Sequence, residues 1–315
     1  MIINCKIKKI IFSIKNIYIL IGVIYLLKLQ GSGVALITPF NNQNKVNYEK
    51  LEELIDFQIQ NSTDFIVPCG TTGESSSLSS SEKKKIIDFT VKKVNKRIPV
   101  IAGTGSNNTK NAIEMSKYAK NVGADAVLIV TPYYNKTNQE GLYVHYKKIA
   151  KAIYPLPIIL YNVPSRTGID INIDTITRLA KIENIIAIKE ANPSLEKICN
   201  IIATTKNENF IVLSGNDNLL LPILSVGGKG IISVAANIIP HQMHNICKNN
   251  DKDLFYKYLD IMNNLFLDVN PIMIKEAMNY LKFDVGKVRL PLYSPKNDKL
   301  IKLYKSIDNI KGDFI

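Results

Sequence analysis

Histidine and cysteine are scarce in this chain of 315 residues, which has three histidines and four cysteines. The cysteines are Cys5, Cys69, Cys199 and Cys247. They form no CxxC or other short pair, so the sequence indicates neither a disulfide framework nor a zinc site and favours a reducing compartment. His241 and His244 have an HxxH spacing, but no cysteine or carboxylate partner stands at a suitable distance along the chain. We therefore predict no metal site.

The chain also lacks an apolar run long enough for an ordinary membrane span. The longest candidate, IYILIGVIYLL at 17–27, has 11 residues, whereas a membrane helix needs about 20. The lysines before it give a likeness to a signal peptide, but no A-x-A cleavage site follows. Residues 1–30 can be read as a membrane-anchoring segment, as an extra helix packed on the fold, or as the product of an upstream start. We favour the last two interpretations and a cytoplasmic location.

No nucleic-acid-binding module is recognisable, although the formal net charge is +13 and the pI about 9.3. Basic proteins of this kind bind nucleic acid when the lysines cluster on one face. Here they are spread along the chain, and the lysine-rich stretch at 83–97 has the pattern of the solvated face of one amphipathic helix. We predict no nucleic-acid partner.

Eight short apolar runs alternate with helical segments from residue 33 onward. The runs are GVALITPF (33–40), FIVPCG (65–70), PVIAGTG (99–105), AVLIVTPYY (126–134), PIILYNVP (157–164), IIAIKEA (185–191), FIVLSGND (210–217) and GIISVAA (230–236). Continuous apolar runs are typical of parallel strands that helices cover on one face while the other face is also buried. YEKLEELIDFQIQ (48–60) and KNAIEMSKYAKNVG (110–123) show the helical spacing between them.

Eight strand and helix units in about 220 residues predict an α/β fold, a (β/α)8 TIM barrel, rather than an open doubly wound sheet. The open sheet is the alternative, but no GxGxxG follows the first strand. After residue 250 only helical patterns remain, at 251–267, 271–282 and about 297–308. We predict an N-terminal extension at 1–30, a barrel at 31–250 and a C-terminal helical region at 251–315.

Lys189 is the only lysine at the end of one of these apolar strands, where the active site of a barrel forms. A lysine amine is ordinarily protonated at neutral pH, and a dry pocket disfavours the charged form. A neutral amine can attack a carbonyl and form a Schiff base. The alternative is a buried ion pair with a carboxylate such as Glu190 or Asp217.

Three further strand ends carry candidate groups. GTTGE (70–74) offers backbone N–H groups and hydroxyls for a small carboxylate or phosphate, or is an ordinary β-to-α turn. Tyr161 can exchange a proton near Lys189, or is a packing tyrosine with a backbone partner. Arg166, between Pro164 and Gly168, can bind a carboxylate with its planar fork, or braces its loop through an ion pair.

The order and spacing of seven motifs resemble the dihydrodipicolinate synthase family over residue 31 to beyond residue 290. The motifs are GTTGE (70–74), TPYYN (131–135), YNVPSRTG (161–168), IKE (188–190), SGND (214–217), GGKGIISV (227–234) and NPIMIKEA (270–277). The resemblance implies a lyase with a (β/α)8 barrel, assembled as a homotetramer of two tight dimers. Its partners would be pyruvate and L-aspartate 4-semialdehyde, which condense to 4-hydroxy-tetrahydrodipicolinate in the diaminopimelate route to lysine.

The resemblance also implies roles for individual residues. Lys189 would form the Schiff base and Tyr161 would transfer protons, with Thr71 linking Tyr161 to Tyr134 of a neighbouring subunit. The implied substrate-binding residues are Thr72 and Gly73 for the pyruvate carboxylate, Arg166 for the semialdehyde carboxylate, and Gly215 and Ile232 along the pocket. No cofactor or metal is expected, because the protonated Schiff base is itself the electron sink.

Two other functions remain open. Sialic-acid lyases, such as N-acetylneuraminate lyase, share the lysine and the tyrosine but not the arginine of YNVPSRTG, so Arg166 separates them from the first interpretation. A catalytically inactive homologue that binds a small molecule is the other alternative. Retention of Lys189, Tyr161, Thr71 and Tyr134 together argues against it.

Overall fold

A computed structural model describes residues 29–313, and within them eight parallel strands form a nearly closed barrel. The strands are β1 (Gly31–Ala35), β2 (Phe65–Val67), β3 (Ile101–Gly103), β4 (Ala126–Val130), β5 (Ile158–Asn162), β6 (Ile185–Glu190), β7 (Ile211–Ser214) and β8 (Gly230–Ser233). Their order is β2-β1-β8-β7-β6-β5-β4-β3. The gap between β2 and β3 is bridged by Ile66 and Val100, so the predicted barrel is confirmed and the open sheet is excluded.

Helices follow the strands and cover the outside of the barrel. They are α1 (Tyr48–Gln60), α2 (Ser80–Val94), α3 (Thr109–Asn121), α4 (Gln139–Ile153), the single turn α5 (Pro164–Thr167), α6 (Ile173–Ala180), α7 (Leu195–Thr205), α8 (Leu220–Ser225) and α9 (Pro240–Asn249). Polar caps fix several starts: the side chains of Asn47, Asn108 and Asn138 each accept a backbone N–H of the first turn. Ser79 and Glu82 form a capping box on α2.

The strands are apolar on both faces because the barrel has two cores. One cluster fills the interior and takes a buried residue from each strand: Ala35, Val67, Ile101, Leu128, Ile159, Ala187, Leu213 and Ile232. The larger cluster lies between the strands and the surrounding helices. Since side chains alternate along a strand, residues two positions beyond Ile159 and Ala187 face the interior at the carboxyl end. Those residues are Tyr161 and Lys189.

Three helices follow the barrel: α10 (Lys252–Asn264), α11 (Ile272–Tyr280) and α12 (Asn297–Asp308). The predicted helical segments at 251–267, 271–282 and 297–308 therefore form with ends that differ by at most three residues. This region packs on the barrel, because Lys275 and Arg289 both contact Glu74 in the turn after β2.

The predicted N-terminal extension, residues 1–30, lies outside the described residues except for Leu29 and Gln30. Leu29 is fully buried in the interior cluster of the barrel. Across residues 29–313, no helix is both long enough and apolar enough to cross a membrane. Cys69, Cys199 and Cys247 are free thiols.

Candidate active site

Lys189 and Tyr161 meet inside the carboxyl end of the barrel. They are register partners on the adjacent strands β6 and β5, and the Lys189 Nζ lies 4.6 Å from the centroid of the Tyr161 ring. Lys189 is 5% exposed and Tyr161 7%. The Tyr161 hydroxyl has no hydrogen-bond partner in residues 29–313, so the alternative of a tyrosine held by a backbone partner is not supported. The predicted link from Thr71 to Tyr161 is therefore also not formed among the described residues.

The ion pairs considered for Lys189 do not form. Glu190 faces the other side of β6, where Asn162 Nδ2 donates to both of its carboxylate oxygens at 2.8 and 2.9 Å and Lys197 Nζ lies 3.4 Å away. Asp217 accepts the backbone N–H groups of residues 234 and 235. Within the described chain no carboxylate oxygen lies within 4.0 Å of Lys189 Nζ. Burial raises the pKa of both Glu190 and Asp217, while the charge of Lys189, beyond ion-pair distance, acts in the opposite direction on Asp217.

The hydrogen bonds between Asn162 and Glu190 lie on the face of the sheet opposite to Tyr161 and Lys189. Each of these residues follows a candidate catalytic residue in sequence, and the two are register partners. Both are fully buried. The hydrogen bonds between them therefore hold the ends of β5 and β6 together at the level of Tyr161 and Lys189.

The GTTGE turn has the features of a small anion site. None of the backbone N–H groups at 70–73 has an acceptor among the described residues. Gly70 and Thr71 are partly exposed, but Thr72 and Gly73 are buried, and a buried N–H is ordinarily paired. Cys69 and Glu74, which flank these groups, adopt positive φ angles of 58° and 54°. Successive N–H groups in such a turn attract anions. Thr38 Oγ1 fixes the turn by donating to the Gly73 carbonyl at 2.7 Å.

A cavity of about 220 Å³ lies beside these groups. Gly70, Thr71, Tyr161 and Arg166 are among the residues that line it. No protein atom lies within 4 Å of the position that a Cβ on Gly70 would take, so this side of the turn is open. The volume suits a small substrate rather than a dinucleotide.

Arg166, predicted in a loop between Pro164 and Gly168, lies in the one-turn helix α5. It is exposed, and its Nη2 donates to the main-chain oxygen of Asn270 at 3.0 Å. It makes no ion pair to any described carboxylate, so the alternative of a bracing ion pair is not supported. Its guanidinium stands at the rim of the cavity with donors left for a substrate carboxylate.

The remaining predicted site residues differ in how deeply they are buried and in what they contact. Thr72 is 2% exposed, and its hydroxyl accepts from Asn270 Nδ2 at 2.9 Å. Ile232 is buried in the barrel interior. Gly215 packs so tightly that a Cβ there would lie 2.7 Å from the Cβ of Ala191. Tyr134, with a positive φ of 71°, is 93% exposed and takes no part in the cavity of this protomer.

Residues of the C-terminal region support the turn and were missed by the sequence reasoning. Glu74, fully buried, pairs with Lys275 at 2.6 Å and accepts the backbone N–H of Arg289 at 2.9 Å. Asn270 contacts both Thr72 and Arg166. One signal was available: Lys275 interrupts an apolar stretch of α11, PIMIKEAM, which indicates a buried charge in need of a partner.

The histidines have separate partners. His244 Nδ1 lies 3.0 Å from Asp64 Oδ2, and His241 Nε2 lies 3.0 Å from Asn245 Nδ2. In the part of the chain that the structure describes, no three His, Cys, Asp or Glu side chains group as metal ligands.

The candidate site consists of a buried amine, a phenol, a turn rich in N–H donors and a guanidinium at the rim. Such a set can capture a keto acid as a Schiff base.

Known proteins resemble this chain over most of its length. Residues 28–310 match the model of the dihydrodipicolinate synthetase family. The chain is 50% identical to 4-hydroxy-tetrahydrodipicolinate synthase of Clostridium perfringens (strain SM101) over 285 residues, which cover 88% of this chain and 97% of the relative. It is 51% identical to the enzyme of that name from Acetivibrio thermocellus over 281 residues, 86% and 94% of the two chains.

Solved structures extend the similarity to the fold. The crystal structure of the chloride-inhibited dihydrodipicolinate synthase of Acinetobacter baumannii, complexed with pyruvate, superimposes with a TM-score of 0.87 at 42% identity. The match covers 91% of this chain and 99% of that one.

Proposed function

The chain belongs to the dihydrodipicolinate synthetase family, and we propose that it condenses pyruvate with L-aspartate 4-semialdehyde to 4-hydroxy-tetrahydrodipicolinate. This is a lyase reaction of the diaminopimelate route of lysine biosynthesis. One observation carries the proposal at the level of the site: Lys189, buried and without a carboxylate partner in the described chain, lies 4.6 Å from the ring of Tyr161 beside a turn with free N–H groups.

The reaction begins with capture of the keto acid. The Lys189 amine attacks C2 of pyruvate, and loss of water leaves a protonated Schiff base. The N–H groups of the turn and the Thr72 hydroxyl bind the pyruvate carboxylate. Tyr161 shuttles the protons that the oxygen of C2 gains as it leaves.

The second half joins the two substrates. Tyr161 accepts the proton lost from C3 as the enamine forms. C3 of the enamine then attacks the aldehyde carbon of the semialdehyde, whose oxygen takes a proton from Tyr161, while Arg166 binds the semialdehyde carboxylate. The substrate amine then attacks C2, closes the ring and releases Lys189. Each step uses residues of this chain or of a neighbouring copy and needs no external oxidant.

The direct test is reduction with borohydride in the presence of pyruvate, followed by peptide mass mapping. We expect a pyruvyl adduct on Lys189. An adduct on another lysine, or none, would contradict the mechanism. Turnover with aspartate semialdehyde, compared with N-acetylneuraminate, then separates this function from a sialic-acid lyase.

Arg166→Ala tests how the second substrate is recognised. We expect kcat/KM for the semialdehyde to fall by about 100-fold, because a charge-assisted bidentate contact is lost. Borohydride trapping of pyruvate on Lys189 should continue at the rate of the unsubstituted protein. Loss of both activities would instead assign Arg166 a structural role through its bond to the Asn270 carbonyl.

We further propose a cytoplasmic homotetramer, a dimer of dimers, in which the exposed Tyr134 reaches the site of a partner and joins Thr71 and Tyr161. A tyrosine with 93% of its surface exposed and a left-handed backbone is poorly placed for an isolated protomer. Analytical ultracentrifugation measures the oligomeric state. Mixing Tyr134→Phe with Lys189→Met protomers tests the shared site: activity should reappear in hybrids, which hold some sites with both residues intact.

A further inference from the structure

Asn270 connects two parts of the proposed site from a distant part of the chain. Its side chain is buried, with 7% of the residue exposed, and its Nδ2 lies 2.9 Å from Thr72 Oγ1. Its main-chain oxygen accepts from Arg166 Nη2 at 3.0 Å. One residue thus touches the group proposed for the pyruvate carboxylate and the group proposed for the semialdehyde carboxylate.

The amide nitrogen of Asn270 faces the Thr72 hydroxyl, while its Oδ1 is buried without a partner among the described residues. An amide NH2 group only donates, whereas a hydroxyl carries one proton and two lone pairs. Thr72 therefore accepts from Asn270, and its own proton is left over. No acceptor for that proton exists among residues 29–313. The hydroxyl can then act as a donor, like the backbone N–H groups at 70–73 beside it.

We propose that Asn270 is a positioning residue that makes the Thr72 hydroxyl a donor toward the carboxylate of the 2-oxo acid. Its main-chain oxygen at the same time holds Arg166, so the two carboxylate subsites are fixed at one separation by one residue. This inference rests on the proposed function. It assigns Asn270 no contact with substrate, since it acts through Thr72 and Arg166.

The test is Asn270→Asp, which keeps the shape of the side chain but replaces its donor by acceptors. Thr72 must then donate to the aspartate, and its lone pairs are left facing the substrate carboxylate. We expect kcat/KM for pyruvate to fall by about 10- to 100-fold, the range for loss of a hydrogen bond to a charged group. The main-chain contact to Arg166 is kept, so kcat/KM for the semialdehyde should change by less than about threefold.

A double-variant cycle separates the hydroxyl from the added negative charge. In a Thr72→Val background the hydroxyl is absent, so Asn270→Asp should have little further effect on pyruvate. An undiminished effect in that background would assign the loss to charge alone and overturn the inference. If Asn270→Asp does not fold, Asn270→Ala replaces it in the same cycle, with a smaller loss that Thr72→Val again removes.

Asn184→Asp is the matched control. Asn184 is also buried and donates its Nδ2 to two carbonyls, those of Ala150 and Leu156, but it lies at the opposite end of the barrel. The Asn184→Asp substitution should lower the melting temperature without changing the ratio of kcat/KM for pyruvate to kcat/KM for the semialdehyde. If the unsubstituted protein forms no pyruvate adduct, the proposed function fails. If it does and Asn270→Asp is kinetically normal, only this inference fails.

Discussion

Two buried lysines occupy neighbouring regions of the molecule and have opposite surroundings. Lys189, at the end of β6, is 5% exposed, and Lys275, on α11, is 1% exposed. Each amine lies near an aromatic ring, 4.6 Å from the centroid of Tyr161 and 4.0 Å from that of Phe40. By residue type, burial and aromatic neighbour they are alike.

Their polar partners differ. Lys275 pairs with Glu74 at 2.6 Å and donates to the Lys287 carbonyl at 3.2 Å. Burial lowers the pKa of Lys275 to about 8, while the charge of Glu74 acts in the opposite direction. Lys189 has no carboxylate within 4.0 Å in the described chain, and its ring neighbour Tyr161 lines a cavity. The comparison separates a lysine paired with the GTTGE turn from one that we propose for covalent chemistry.

The largest expected effect is that of Lys189→Met on catalysis. Without the amine no Schiff base forms, so we expect kcat to fall by about 10⁴-fold or more, as for removal of other enzymatic nucleophiles. No ion pair is lost, so the free energy of unfolding should change by no more than about 1 kcal/mol. Steady-state turnover and urea unfolding measure the two quantities. Residual turnover near that of the unsubstituted protein would remove Lys189 from the mechanism.

Lys275→Met should show the reverse pattern, a large loss of stability with a small effect on pyruvate trapping at Lys189. It leaves Glu74 buried without its counter-charge, which typically costs about 3 to 5 kcal/mol of stability. Replacing Glu74 by Gln in the same protein should restore much of that loss, because the uncompensated charge is then gone. Urea unfolding of both proteins, with pyruvate trapping as the readout for Lys189, checks this. A loss below about 1 kcal/mol for Lys275→Met would show that the pair contributes little.

The difference between the two lysines also shows what could be predicted from the sequence. Lys189 and Tyr161 were found because strand ends in a barrel converge, so a short apolar run ending in a polar residue is informative on its own. The strand assignments were less exact: β1 begins at Gly31 and ends at Ala35, whereas the apolar run continues to residue 40. Leu36, Ile37 and Phe40 follow the strand and are buried in the larger core cluster, so burial there did not mean strand.

Contacts between distant segments could not be read in this way. Thr72 and Asn270 are 198 residues apart, and Arg289 is 215 residues from Glu74. Nothing in local periodicity relates such segments, since their contact depends on how α11 and the following loop pack on the barrel. The resemblance included the motif that contains Asn270 and Lys275, but it assigned them no role.

His145 tests whether burial without a counter-charge is sufficient to create a reactive site. It is buried on α4, with Nδ1 2.9 Å from Thr109 Oγ1 and no partner for Nε2 in the described chain. Burial lowers its pKa to about 4. The unfolded state, with a pKa near 6.5, therefore holds more protons between these values, so the contribution of His145 to stability is full above about pH 6.5 and is lost as the pH falls toward 4.

The loss of unfolding free energy due to His145 should be at most about 3 kcal/mol at pH 4, since each unit of pKa shift corresponds to about 1.4 kcal/mol. Urea unfolding at pH 7 and pH 4.5 should show a steeper loss for the unsubstituted protein than for His145→Gln, and kcat at neutral pH should be equal in the two. Equal pH dependence would mean that the imidazole can be protonated in place. If the expected difference is found, burial alone produces only a pH-dependent stability, and what distinguishes Lys189 is its position against Tyr161, which lines the cavity.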